Sequence, residues 1–231
     1  MRSSVFEHGD AVRWDVASPR RPGRVAGVTM AGFRDLKRVP EQIRLVPHSS
    51  VMLTVDFGGA PPIVDDVSGR RHRGSLVAGL GLGGAASGYS HDLACVQVRL
   101  SELDGVTSLG DLWGREVERL GERLHEASTW DERFTVVDAF LARHRSPGPA
   151  VEPEVAWAWN RIVAGNGRVR VERLSDELGW SRKRLWSRFG AQIGLPPKRA
   201  ARLVRFDHAV HRLVAGHDAA RVAATFGYLV C

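Results

Sequence analysis

Hydrophobic and polar positions follow two different periods along this chain. Val51-Met52-Leu53-Thr54-Val55-Asp56-Phe57 is built of strand-forming residues and runs into Gly58-Gly59 and Pro61-Pro62, which predicts a strand closed by turns. Ala94-Cys95-Val96-Gln97-Val98-Arg99-Leu100 alternates small or apolar residues with polar ones, the pattern of a half-buried strand. Together they place a β-rich segment at about 25–100. From Leu109 the period becomes helical. Leu112, Trp113, Val117, Leu120 and Leu124 share one stripe, and a second helix over about 131–143 carries Phe134, Val137, Phe140 and Leu141.

The pattern then breaks. Three prolines and a glycine between Ser146 and Pro153 exclude a continuous helix and predict a linker at 146–152, dividing the chain into domains at 1–145 and 153–231. Everything beyond it has helical spacing. Glu154–Ala164 directs Val155, Trp159, Ile162 and Val163 to a core and stops at Gly165-Asn166-Gly167. Arg170–Leu178 is a short helix ending at Gly179. Arg182–Ile193 follows, with Ser181 as its N-cap and Gly194 beyond its end. Pro197 opens a longer helix to about Ala215, with Leu203, Phe206, Val210, Leu213 and Val214 as its apolar stripe. Asp218 caps a last helix, Ala219–Phe226, closed by Gly227.

Charge sharpens this division. The net charge is +7, yet residues 161–231 carry 14 Lys and Arg against 5 Asp and Glu, a balance of +9. The remainder is therefore slightly acidic, at −2. A basic excess confined to the final third fits a domain that faces polyanions. Only two cysteines occur, Cys95 and Cys231, too few for a disulfide framework or a paired-cysteine zinc site. The chain has no apolar run long enough to span a membrane and begins without the apolar core of a secretory signal, so a cytoplasmic location is expected.

The chemistry-bearing run lies between Val171 and Phe189. Leu174 and Leu178 are one helical turn apart, as are Leu185 and Phe189, and a turn at Gly179 lets the two pairs pack together. Ser175 supplies a small residue where the helices approach. With Leu185 and Phe189 inward, Arg182, Lys183, Trp186 and Ser187 fall on another face, as a helix that reads the major groove requires. Residues 154–228 resemble the DNA-binding domain of the AraC/XylS family of transcription regulators. Gly179, Ser181, Leu185, Arg188 and Phe189 match its first helix-turn-helix; Gly194, Pro197, Arg205 and Ala209 match the connecting segment, and Gly227-Tyr228 the second turn.

That resemblance implies two helix-turn-helix units joined by the long helix. Lys183, Trp186 and Ser187 would occupy base-contact positions, with Arg182 and Arg184 nearer phosphates. Against each assignment stands a plainer one: Trp186 packed on a neighbouring helix, and Arg184 or Arg188 in surface ion pairs, which is the reading favoured for Arg188. The sequence stops at Leu229-Val230-Cys231, so the second unit is expected to hold its supporting helix without its reader. The N-terminal half is similar to effector or sensory domains attached to members of this family.

Enzymatic readings find little support. Gly79–Gly88 is glycine-rich but lacks the lysine of a P-loop, and reads as a flexible connection between strands. Asp207, His208 and His211 share a helix, but solvated or packed histidines explain them better than a metal site. The expectation is an α+β protein that is not an enzyme and uses no cofactor or metal: a β-rich N-terminal domain with two helices, then an all-α helix-turn-helix domain. It would bind double-stranded DNA through Arg182, Lys183, Arg184, Trp186 and Ser187, while the N-terminal domain senses a small-molecule effector or forms a homodimer. The alternative is an interaction protein that does not read DNA and heterodimerises with an intact relative.

Overall fold

The computed structural model describes residues 2–8, 12–25, 27–36, 41–45, 48–66, 69–80, 86–100, 109–144 and 151–228. The chain folds as mixed α+β in two compact units. The first unit holds the strands and two helices; the second holds five helices together with residues 48–49.

In the first unit two antiparallel sheets form. One has six strands: β1 (Arg2–His8), β2 (Val12–Ser18), β3 (Val28–Asp35), β5 (Val51–Asp56), β8 (Leu76–Ala78) and β10 (Ala94–Leu100), ordered β1-β2-β3-β10-β5-β8. The other has four: β4 (Glu41–Leu45), β6 (Ile63–Asp65), β7 (Arg71–Arg73) and β9 (Ala86–Ser90), ordered β4-β9-β6-β7. β10 is flanked on both sides, with Val98 opposite Met30 of β3 and Leu53 of β5. Ala94, Val96 and Val98 share one face and are buried as the alternation predicts, while on the other face Cys95 is buried and Gln97 and Arg99 are only partly covered. β1 and β2 extend the sheet well before residue 25, where the predicted β-rich segment starts, because backbone pairing over seven residue pairs joins two strands of mixed polarity.

Helices α1 (Leu109–Glu126) and α2 (Trp130–His144) supply the other half of this core. Leu120, Leu124, Phe134, Val137, Phe140 and Leu141 are buried against Val55, Phe57, Val96 and Val98. Burying that aliphatic and aromatic area is the main term favouring the fold. Leu112 and Trp113, expected on the same stripe, have side chains outside the described residues. Trp130 packs where β3 carries Gly32; a Cβ there would lie 2.2 Å from the Trp130 ring. The Trp130 indole N–H donates to Asp15 Oδ2 at 2.9 Å, so the ring is held at its polar end as well. Arg133 is 5% exposed and replaces a capping residue: its Nε donates to the Leu124 carbonyl at 3.0 Å and its second arm donates to the Ala127 carbonyl. The guanidinium thus satisfies carbonyls that the end of α1 leaves open, while its flat face lies over Phe57 and Trp130.

The second unit contains α3 (Pro153–Ala164), α4 (Val171–Glu177), α5 (Arg182–Ile193), α6 (Pro197–Val214) and α7 (Ala219–Phe226). Val155, Trp159 and Ile162 are buried as predicted, but Val163 is 37% exposed. The expected stripe on α6 needs correction. Its buried side is Pro197, Ala200, Ala201, Val204, Asp207 and Ala209, while Leu213 and Val214 are 45% and 83% exposed. Small residues face inward there because the turn after α3 lies directly on the helix: a Cβ at Gly167 would meet the Ala201 carbonyl oxygen at 2.1 Å. Residues 146–150 of the linker predicted at 146–152 lie outside the described residues, as does Leu229-Val230-Cys231. Among the described residues no helix is long and apolar enough to cross a membrane.

The contact at Gly32 yields a direct test. Gly32→Ala places a methyl inside the Trp130 ring contact and should destabilise the chain by about 1–3 kcal/mol, read as a lowered urea midpoint. An unchanged midpoint would mean that Trp130 does not depend on this approach.

Candidate nucleic-acid interface and N-terminal cavity

α5 is a complete capped helix. The Ser181 hydroxyl accepts the backbone N–H of Arg184 at 3.2 Å, and Gly194 closes the helix in the left-handed region at φ 78°. Leu185 and Phe189 are fully buried and Ile193 nearly so, which sets the helix's rotation. α3, α4 and α6 all pack against it, and the Trp159 ring lies 6.5 Å from that of Phe189. The turn before α5 needs Gly179 at φ 62°, a conformation that strains any side chain. Backbone bonds from Gly179 to Asp176 and from Trp180 to Ser175 hold that turn against the end of α4. Ser175 is 2% exposed and donates its hydroxyl to the Glu172 carbonyl at 2.7 Å, so a small residue does sit where the helices approach. Leu178 belongs to the helix end and is only half-buried; α4 runs Val171–Glu177, one residue shorter at each end than predicted.

With that side buried, Arg182, Lys183, Arg184, Trp186 and Ser187 are all exposed along α5. Trp186 is 44% exposed, which leaves an indole face available rather than enclosed by a neighbouring helix. The cations of α3, α4 and α5 divide into two sets. Arg173 Nε donates to Glu177 at 2.8 Å and Arg161 to the same carboxylate at 3.1 Å, which holds Glu177 below the usual carboxylate range. Arg188 forms a two-pronged pair with Glu152, the ion-pair role that sequence reasoning favoured for it. Glu152 escaped notice because its partner lies 36 residues on; its own N–H is held by Gln192 Oε1 at 2.8 Å. Arg182, Lys183 and Arg184, by contrast, have no carboxylate partner among the described residues. The Arg184 guanidinium instead lies 4.4 Å over the Trp180 ring.

The connecting helix α6 carries a buried acid that sequence reasoning weighed only as a metal ligand. Asp207 receives His48 Nδ1 at 2.8 Å and the Ser49 hydroxyl at 2.6 Å, and His211 bonds its backbone carbonyl at 2.8 Å. The carboxylate's donors are thus a hydroxyl and an imidazole, which satisfy it without a metal. Burial pushes the Asp207 carboxyl up, but those hydrogen bonds and the charges of His48 and His211 outweigh it and hold it at about 2. Asp218 caps α7 through the Arg221 N–H at 2.8 Å, as predicted, and Val222 and Phe226 are buried with Ala209.

The first unit carries an open pocket of about 740 Å³ between α1 and the end of β5. Asp56, Phe57, Ser75, Val117, Glu122 and His125 contribute to its wall. His125 Nδ1 lies 3.1 Å from the Phe57 carbonyl, and Ser75 Oγ accepts the Asp56 N–H at 3.0 Å. Burial, aided by the Asp92 charge and opposed by the Gly58 N–H, raises the Asp56 carboxyl to about 6. No sequence motif marks this cavity, because its walls come from segments up to 70 residues apart.

No family model matches the chain, and no curated protein matches it. Solved structures do. ToxT from Vibrio cholerae aligns over 87% of this chain and 90% of its own at 11% identity, with a TM-score of 0.52. ToxT from Vibrio cholerae O395 bound to (E)-4-(8-methylnaphthalen-1-yl)but-3-enoic acid aligns over 87% and 90% at 10% identity, with a TM-score of 0.50. The AraC-like transcriptional activator CuxR aligns over 90% and 82% at 16% identity, with a TM-score of 0.36, so the likeness in fold rests on ToxT. That likeness establishes a shared architecture across both units, and not a shared function.

The Asp207 cluster predicts a specific acid response. A carboxyl held at about 2 stabilises the folded state above its unfolded value near 4 and loses that contribution as pH falls through 2, on the order of 2 kcal/mol in all. Asp207→Asn should therefore lower stability at neutral pH and flatten the loss between about pH 4 and pH 2 relative to wild type. Parallel unfolding curves for the two proteins would show that the cluster carries no such linkage.

Proposed function

We propose that this chain is a DNA-binding transcription regulator of the AraC/XylS type, with α5 as the helix that enters the major groove. The observation that carries this is the exposed side of α5: Arg182, Lys183, Arg184, Trp186 and Ser187 face solvent on a capped helix whose other side is locked into a core. Arg161, Arg173 and Arg188 are paired with Glu177 and Glu152, so among the cations of α3, α4 and α5 the unpaired positive charge lies at the start of α5. The +9 balance of residues 161–231 and the run of AraC/XylS-like residues from Gly179 to Tyr228 support the same reading.

Within that face the roles divide by reach. Lys183, Trp186 and Ser187 are assigned to base edges, Lys183 and Ser187 by hydrogen bonding and Trp186 through its apolar ring edge. Arg182 and Arg184 are assigned to phosphates, which position the helix without reading sequence. The first unit senses a small molecule or dimerises; its open pocket, and the acid-bound form of ToxT, favour sensing.

Three substitutions in the full chain separate readers from anchors. Lys183→Ala and Trp186→Ala should each cut discrimination between a selected site and random duplex by about 1–3 kcal/mol, measured by competition gel shift. Arg182→Ala should weaken both duplexes alike. Equal losses on both duplexes for all three changes would refute base reading by α5. Sedimentation velocity on the full chain addresses the first unit: a dimer at micromolar concentration assigns it to assembly, and a monomer leaves sensing.

A further inference from the structure

Arg184, on the outward side of α5, is held at both ends without a carboxylate partner. Its backbone N–H is fixed by the Ser181 cap at 3.2 Å, and its guanidinium lies 4.4 Å over the Trp180 ring. Trp180 is itself fixed: it follows Gly179 in the left-handed turn, and its N–H donates to the Ser175 carbonyl at 2.9 Å. The helix-turn-helix turn therefore delivers an aromatic platform as well as a change of direction.

The partner matters because of what it leaves intact. Arg161, Arg173 and Arg188 are ordered by carboxylates, which cancel their charge. An aromatic face attracts and orients a guanidinium without cancelling it, and leaves the N–H edge of the plane open to an oxyanion. A long arginine side chain otherwise loses rotamer freedom when it engages a ligand, and ordering it beforehand reduces that cost. Among the described residues of the helical unit Arg184 over Trp180 is the closest such stack; Arg168 over Phe226, Arg161 over Trp157 and Arg205 over Tyr228 lie at 5.3, 5.7 and 5.8 Å, and Arg161 is also paired with Glu177.

We propose that Trp180 is a positioning residue for DNA-backbone binding: its ring preorders the Arg184 guanidinium to take a phosphate of the duplex while keeping its full charge. This rests on the regulator reading above, and it adds a residue that touches no nucleotide. The geometry assigns Trp180 no part in base selection, so its loss acts on any duplex.

The experiment is a double-mutant cycle on the full chain, read by fluorescence anisotropy with a random-sequence duplex across a salt series. Trp180→Leu should weaken binding about threefold to tenfold, the range expected from losing one cation–π contact. It should also flatten the salt dependence by up to about one counterion. Trp180→Phe, which keeps a smaller aromatic face, should recover most of the loss. In the Arg184→Ala background Trp180→Leu should cost nothing further, because the group it acts through is gone. Should Trp180→Leu lose its helical circular dichroism, Trp180→Phe carries the cycle alone, its smaller loss vanishing once Arg184 is alanine.

The proposal is overturned if Trp180→Leu binds as wild type, or if it loses as much without Arg184 as with it. The latter outcome would make the ring a fold element or a direct contact. A wild-type chain without salt-dependent duplex binding is a different result, visible before any variant is made, and it removes the regulator reading itself.

Discussion

Leu185, Phe189 and Ile193 follow one another along α5 at helical spacing, and burying them against α3, α4 and α6 sets the rotation of that helix. Once the rotation is set, the outward residues have no freedom to choose their face. Lys183 and Ser187 are four apart and come to lie one above the other, with Arg182 and Trp186 forming the adjacent row. The direction of the helix is set by a second local constraint, the left-handed turn at Gly179 and the Ser181 cap behind it. Core and turn together turn a string of polar residues into a directed surface.

Electrostatic sorting completes that surface. Glu177 takes two arginines and Glu152 takes a third, so these two carboxylates neutralise Arg161, Arg173 and Arg188. Exposed ion pairs of this sort add little stability, commonly less than about 1 kcal/mol each. Their larger effect is on the pattern of charge: they neutralise Arg161, Arg173 and Arg188 and leave Arg182, Lys183 and Arg184 as the cations of α3, α4 and α5 without a carboxylate. Arg182, Lys183 and Arg184 sit side by side at the start of a helix, where the partial positive charge of the N-terminus already disfavours cations. Such an arrangement works against the stability of the isolated chain and makes sense where a polyanion relieves it.

How much of this was legible in the sequence depended on how local the cause was. α5 spans Arg182–Ile193 as the spacing predicts, because its cap, its closing glycine and its apolar positions all lie within fourteen residues. α2 follows its stripe for the same reason. The inward side of α6 was misread: Leu213 and Val214 continue an apolar pattern, yet small residues face the core because the Gly167 turn approaches within reach of a single methyl. β1 shows no clear hydrophobic alternation and pairs with β2 through its backbone, whereas the Val12-Arg13-Trp14-Asp15-Val16 alternation of β2 was there to be read and was missed. Cation partners were least legible. Nothing near Arg188 in sequence announces Glu152, and nothing near Asp207 announces His48 and Ser49, about 160 residues away.

The two kinds of arginine partner carry different consequences for function. A carboxylate and an aromatic ring both restrict a guanidinium, but only the first competes with a phosphate for its N–H groups. Replacing Glu152 by an aromatic residue would free Arg188 for anions without releasing it to solvent, whereas placing a carboxylate at Trp180 would silence Arg184 while leaving it equally well ordered. Order alone therefore does not identify a ligand-ready cation; the chemistry of whatever orders it does. On that criterion the proposed interface narrows to the first turns of α5, where the capping serine, the turn glycine and the stacked tryptophan converge on a single guanidinium that has no carboxylate partner.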